Sequence, residues 1–338
     1  MSTKPMTKHN IRLTSAELAT LWSTYVNDSM SKCVLSYFVN KVEDMEIRPI
    51  LEYALSLSIK HIEMITDILT HENIPIPQGF TEDDVIIDAP RLYTDVFFIN
   101  YIKLFSRLGL SYYGYQLHMV TRSDIRDLIE ECLASSTALS KKADNLMLEK
   151  GIYARPPYIP APEHAEFIQK RSFLNGFLGD KRAMNALEIT NLFANIQTNS
   201  LGKATLLGFY QVAKTSVVKD YFLRGIDISE KHVEVLRSKL RSEDIPAPTS
   251  YESDVMASTT PPFSEKLMMY HSVILTQAGQ MSYGMALGTV MRRDLGLDIS
   301  RLMVEVSKYA EDGAEIMIDH EWLEKPPGSV EHRVLTSP

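Results

Sequence analysis

Two stretches of the chain, "HENIPIP" from His71 and "SEDIPAP" from Ser242, share an acidic residue, an isoleucine and two spaced prolines at a separation of 171 residues. That distance is about half of the 338 residues, so the question is whether the chain is one unit written twice. The match extends well beyond the prolines. "SIKHIEMI" from Ser58 aligns with "SEKHVEVL" from Ser229 at the same offset. "SYYGYQLHMVTRSD" from Ser111 aligns with "MSYGMALGTVMRRD" from Met281, and "LMLEKGIYARPP" from Leu146 with "IMIDHEWLEKPP" from Ile316, both now 170 apart. One residue is lost in a loop, and otherwise the register holds. Any fold must therefore be built from one half-length unit made twice.

Each half carries four long segments with apolar residues at helical spacing, and no strand-like alternation of any length. In the first half, Leu18, Leu21, Trp22, Tyr25 and Cys33 mark helix one, and Leu51, Ala54, Leu55, Ile62, Ile65 and Leu69 mark helix two. Helices three and four run from about 94 to 120 and from about 124 to 150. Thr94-Asp95 and Ser264-Glu265 read as an N-cap followed by a first-turn acid. Short connections join helices one to two and three to four, whereas about twenty residues separate helices two and three. Short loops make antiparallel neighbours, and one long crossover is the ferritin-like arrangement of a four-helix bundle. The predicted fold is all-α, two tandem ferritin-like four-helix bundles. "IPIP" is expected to stop helix two, because proline lacks the N–H that continues a helix.

The predicted limits are a first bundle over 1–155, a proline-rich linker over 156–182, a second bundle over 183–327 and a flexible tail over 328–338. A short helix is expected within "EHAEFIQKRS", and the join between the halves near Gly179. A net charge of -8 and a pI near 5.6, with no basic patch, argue against nucleic acid as a partner. The most apolar run, "VFFINYIKLFSRLGL", is broken by Asn100, Lys103 and Arg107, so membrane insertion is not expected. Without an apolar secretory core near the start, the expected location is cytoplasmic. Cys33 and Cys132 have apolar repeat counterparts, Ala204 and Leu302, which favours free, packed thiols in a reducing compartment.

Tandem bundles, an I-P-x-P crossover, a Tyr-Gly step in helix three and a proline-terminated fourth helix together resemble one family. It is an uncharacterised family of endospore-forming bacteria, made of duplicated ferritin-like domains and related to spore coat protein F. The resemblance covers nearly the whole chain. It implies the fold and an association with the spore or forespore, and it supplies no catalytic residues.

A ferritin-like bundle raises di-iron chemistry first. That centre needs a Glu from each of two helices and a Glu-x-x-His from each of the other two. His61 and His232 lie on the inward stripe of helix two, but Ser58 and Ser229 stand where each Glu is needed. Helix three carries no acid between Val96 and Val120, nor between Lys266 and Met291. Helix four has no Glu-x-x-His, and helix one places Lys32 or Lys203 near its centre. No cofactor is therefore expected, and His61 and His232 remain the metal-ligand candidates. Their structural use as hydrogen-bonded core residues is the expected one, with a helix-one hydroxyl (Ser29 or Ser200) or a helix-three tyrosine as partner.

Ser29-x-x-Lys32 and Ser200-x-x-Lys203 match a serine acyl-transfer pattern without its partner motifs, and the lysines are expected to meet an acid or snorkel. Four matched glycines, Gly109, Gly114, Gly279 and Gly284, sit inside helix three of each half, where tight helix packing is the expected cause. Tyr113 and Tyr283 are expected to hydrogen-bond across the core, and with Ser58 and Ser229 they are the buried polar or pocket candidates. The expected role is non-catalytic: structural, or interacting with a protein partner or with itself. The alternatives are a metal-binding protein or oxidoreductase using the histidines, and a small-ligand carrier lined by Tyr and Met of helix three.

Overall fold

A computed structural model describes residues 11–177 and 181–329. The predicted join at Gly179 and most of the predicted tail (330–338) lie outside those residues. Four helices build the first half: α1 (Ser15–Lys41), α2 (Arg48–His71), α3 (Asp95–Leu117) and α4 (Ser123–Glu149). Four more build the second: α5 (Ala186–Val212), α6 (Ser216–Arg241), α7 (Glu265–Leu287) and α8 (Arg293–Asp319). The rest of the regular structure among the described residues is short 3-10 turns and two isolated antiparallel bridges. The architecture is all-α, two tandem four-helix bundles, each with its long crossover between the second and third helices.

Local chemistry sets the helix ends. Thr14 and Asn185 close capping boxes with Glu17 and Glu188, satisfying backbone donors that the first turn leaves open. Thr94 and Ser264 accept from Phe97 N–H and Leu267 N–H, as their N-cap reading requires. Pro49 occupies the first turn of α2, where no N–H is missed.

The stop of α2 differs from expectation. It ends at His71, before Pro75. Asn73 turns into the left-handed region at φ +55, and Ile74 N–H closes back on Leu69 O at 2.9 Å. Asp244 at φ +56 and Ile245 N–H on Leu240 O at 3.0 Å repeat this in the second half. A left-handed cap thus ends the helix, and the proline only keeps it from resuming. The shared acid serves a different contact. Glu72 pairs with Arg122 at 2.8 Å and Glu243 with Arg292, tying the end of the second helix to the start of the fourth.

The halves pack as an internal pseudo-dimer. Val85 bridges Phe263, and Tyr93 bridges Val255, where Val85 matches Val255 and Tyr93 matches Phe263 in the repeat. The Thr94 hydroxyl donates to Asp254 Oδ1 at 2.7 Å, and its counterpart Ser264 donates to Asp84 Oδ1 at 2.6 Å. Such reciprocity is the signature of a two-fold interface. One central core runs through both halves, with Tyr37, Phe38, Phe97 and Phe98 from the first and Phe209, Phe222 and Phe263 from the second. Burying one such side chain stabilises by roughly 1.5–3 kcal/mol. Smaller cores fill the distal ends, around Leu69, Ile125 and Leu128 in one half and Leu240, Leu295 and Ile299 in the other.

The connector holds a shorter helical piece than an α-helix over "EHAEFIQKRS". "EHAEFIQKRS" forms no α-helix, and a 3-10 turn at Arg171–Leu174 takes in its last two residues. Phe167 is 95% exposed and Ile168 57%, so the segment has no surface on which to bury an apolar face. A segment this short does not hold a helix without such packing.

Candidate functional site

The histidines face the bundle interiors, as their stripe predicts. His61 is 3% exposed and His232 is fully buried. His61 Nδ1 lies 3.1 Å from Asp28 Oδ2 on α1, and Nε2 lies 3.5 Å from Ser135 Oγ on α4. A carboxylate oxygen accepts, so Nδ1–H donates to Asp28. Ser135 already gives its proton to Cys132 O at 3.0 Å, which leaves Nε2 weakly held. The Tyr113 ring stands edge-on to the imidazole at 6.3 Å, without the expected hydrogen bond among the described residues.

In the second half the same positions form a closed relay. His232 Nε2 lies 3.0 Å from Glu305 Oε2 on α8, and Nδ1 lies 2.9 Å from the Tyr283 hydroxyl on α7. Asn199 Nδ2 donates to that hydroxyl at 2.9 Å. The Glu305 carboxylate accepts a hydrogen bond from Nε2–H, so Nδ1 accepts from Tyr283, and each atom has one direction to serve. Burial holds His232 below the ordinary histidine range, against the opposing pull of Glu305, so the ring is neutral at pH 7. Burial tends to raise the Glu305 carboxyl, but Lys231 at 2.8 Å and His232 together bring it below the usual range.

Asp28 corresponds to Asn199, and Ser135 to Glu305. Each imidazole has one carboxylate, supplied from the first helix in one half and the fourth in the other. Sequence reasoning named Tyr283 but missed Asp28, Ser135 and Glu305. The available signal was the exchange of acid and neutral residue between repeats at two positions facing the same ring. Ser58 is buried and Ser229 half-buried, and neither bonds its histidine. Ser58 instead lines a cavity of about 160 Å³ with His61 and Tyr113. Among the described residues no three of His, Cys, Asp and Glu come together as a metal-ligand set.

The other candidates have structural explanations. Ser29 donates to Val26 O at 2.8 Å and accepts from Phe80 N–H at 3.0 Å, pinning the first crossover. Ser200 is buried without a partner among the described residues. Lys203 meets Glu252 at 2.8 Å, as expected of a buried-stem lysine. Cys33 and Cys132 are free and buried, and burial drives the Cys33 thiol up to about 12, so it stays protonated. The helix-three glycines contradict the packing expectation at three of four positions. A Cβ at Gly109 would strike Ser136, but a Cβ at Gly114, Gly279 or Gly284 would meet nothing within 4 Å beyond its own stretch of helix.

The fold and these networks define a class: an all-helical protein of two tandem bundles, each with one internally bonded imidazole. Residues 1–164 and 172–335 each match DUF3231, a family of proteins of unknown function, and the chain belongs to that family. Comparison with curated proteins finds no match. Among solved structures the chain is similar to a "putative spore coat protein" from Bacillus halodurans C-125, at 16% identity and a TM-score of 0.39, over 44% of this chain and 96% of that one. Among the described residues no helix is long and apolar enough to cross a membrane.

Proposed function

We propose that the chain is a non-catalytic structural protein that works by binding protein, either a partner or further copies of itself, in association with the spore. The carrying observation is the connector between the bundles. Tyr158 is 84% exposed and Phe167 95% exposed, on an extended segment flanking a rigid core. Aromatic side chains held in water are the residue type that interfaces bury. The second-half network supports the same reading, because His232, Tyr283 and Glu305 are hydrogen-bonded to one another. The association with the spore is implied by the family resemblance.

Elemental analysis and native mass of the full chain test this reading together. The expected result is less than one metal equivalent per chain, with self-association that Phe167→Ser and Tyr158→Ser weaken. If the protein stays monomeric, the same substitutions are expected to remove it from the spore fraction of a sporulating host. Two irons per bundle with oxygen-dependent turnover would overturn the non-catalytic reading.

A further inference from the structure

A cleft of about 900 Å³ lies between the halves, walled by α3, α5 and α7 with Tyr251 from the second crossover. Its walls carry two cations, Lys103 and Arg107, and no carboxylate. Lys103 is 5% exposed, and its ammonium makes no hydrogen bond or ion pair among the described residues. Its one close partner is the Tyr153 ring, 4.1 Å away at the centroid. One turn on, Arg107 has a side chain 41% exposed and shares its charge with Asp144 at 3.4 Å. Lys103, Arg107 and Asp144 leave one net positive charge. Burial, then repulsion from Arg107, lowers the Lys103 ammonium to about 8 against the attraction of Asp144, so it is still mostly charged at pH 7.

A largely buried lysine whose ammonium has no hydrogen-bonded counter-charge is costly, and the fold does not require it. The repeat makes this plain. Lys103 and Arg107 correspond to Val273 and Gln277, and the same helix position folds with neutral side chains in the second half. The cations belong to this cleft alone. Space is also left open on the facing wall, where a Cβ at Gly284 would meet nothing within 4 Å beyond its own stretch of helix. Beyond the charges the cleft turns apolar, and Leu108, Tyr112, Ala278 and Met281 also wall the cavity beside His61. The two spaces adjoin through those side chains.

We propose that this cleft binds a small amphipathic carboxylate of fatty-acid type. Its head lies at Lys103 and Arg107, and its chain runs along Leu108 and Met281. A single carboxylate neutralises the one unbalanced charge, whereas a phosphate dianion overshoots it, and the apolar end suits an alkyl chain. This goes beyond the interaction role proposed above and does not depend on it.

Isothermal titration of the full chain with decanoate tests it, with 1-decanol as the neutral arm and inorganic phosphate as the anion without an alkyl chain. Decanoate is expected to bind saturably, one per chain, at least tenfold tighter than either. Lys103→Val with Arg107→Gln copies the second repeat, so the fold is retained. It should weaken decanoate at least tenfold and leave decanol unchanged. Gly284→Leu fills the open wall and should block both. Absence of saturable decanoate binding overturns the proposal. So does equal binding of decanol or phosphate, or decanoate affinity unchanged in the Lys103/Arg107 variant.

Discussion

Tyr101 and His271 hold the same position in the two repeats and meet each other, with the Tyr101 hydroxyl 2.7 Å from His271 Nε2. In a two-fold arrangement only residues beside the axis touch their own counterparts, so this pair marks the pseudo-axis. Burial drives His271 down to about 3, which keeps the ring neutral, and its Nδ1 has no partner among the described residues. Among the described residues the hydroxyl is therefore the ring's hydrogen-bond partner, and it joins the halves.

Tyr101→Phe removes that bond and leaves a buried nitrogen unpaired. The expected loss is about 1–3 kcal/mol in urea unfolding. Because the central core spans both halves, the wild type should unfold in one transition. Trp22 and Trp322 report on one half each, so Trp22→Phe and Trp322→Phe proteins allow the halves to be followed separately. Their fluorescence midpoints should coincide with each other and with that of the helical signal. Distinct midpoints for the halves would show that the shared core does not couple them.

His232→Ala leaves the buried Tyr283 hydroxyl without its acceptor and Glu305 with Lys231 alone, and His61→Ala strands Asp28. Each should cost about 1–3 kcal/mol, the scale for a buried polar group left unsatisfied. Added Zn²⁺ or Fe²⁺ should leave the wild-type melting temperature where it was. A metal-dependent rise that disappears in either variant would make the histidine a ligand.

Glu17 should make part of the stability pH-dependent. It is fully buried, and its carboxylate receives the N–H groups of Thr14, Thr121 and Arg122. Burial raises its pKa, but these hydrogen bonds outweigh burial and bring it from 4.5 down to about 2. The unfolded state then binds the proton first as pH falls. The contribution, roughly 3 kcal/mol, is fully present above pH 4.5 and is lost on acidification towards about 2. Glu17→Gln should lose it at neutral pH and flatten the stability profile over that window. An unchanged profile would contradict the assignment.

Two glycines should respond oppositely to alanine. Gly284 faces open space, so Gly284→Ala should stabilise by about 0.5–1 kcal/mol through helix propensity alone. A Cβ at Gly313 would collide with the Tyr221 hydroxyl, which donates to Tyr309 O at 3.2 Å in a stack with 4.2 Å between ring centroids. Gly313→Ala should destabilise by about 1–3 kcal/mol. Thermal melts of the two variants distinguish them by sign.

The repeat, the eight helices and the long crossovers were legible in the chain itself, because period, capping residues and loop length act over a few neighbouring positions. Thr94 and Ser264 show this directly, since a hydroxyl three residues from an open N–H caps a helix whatever lies beyond it. The inward direction of His61 and His232 was legible for the same reason. Their partners were not: Asp28 lies 33 residues from His61, and Glu305 lies 73 from His232. Only the rotation and spacing of packed helices decide which side chain reaches a ring across the bundle. Tertiary packing likewise decided that the halves share one core, that three glycines face space, and that Lys103 is largely buried without an ion pair among the described residues. Each of these depends on surfaces that become neighbours only after the helices have formed, and helical periodicity carries no record of which surfaces those are.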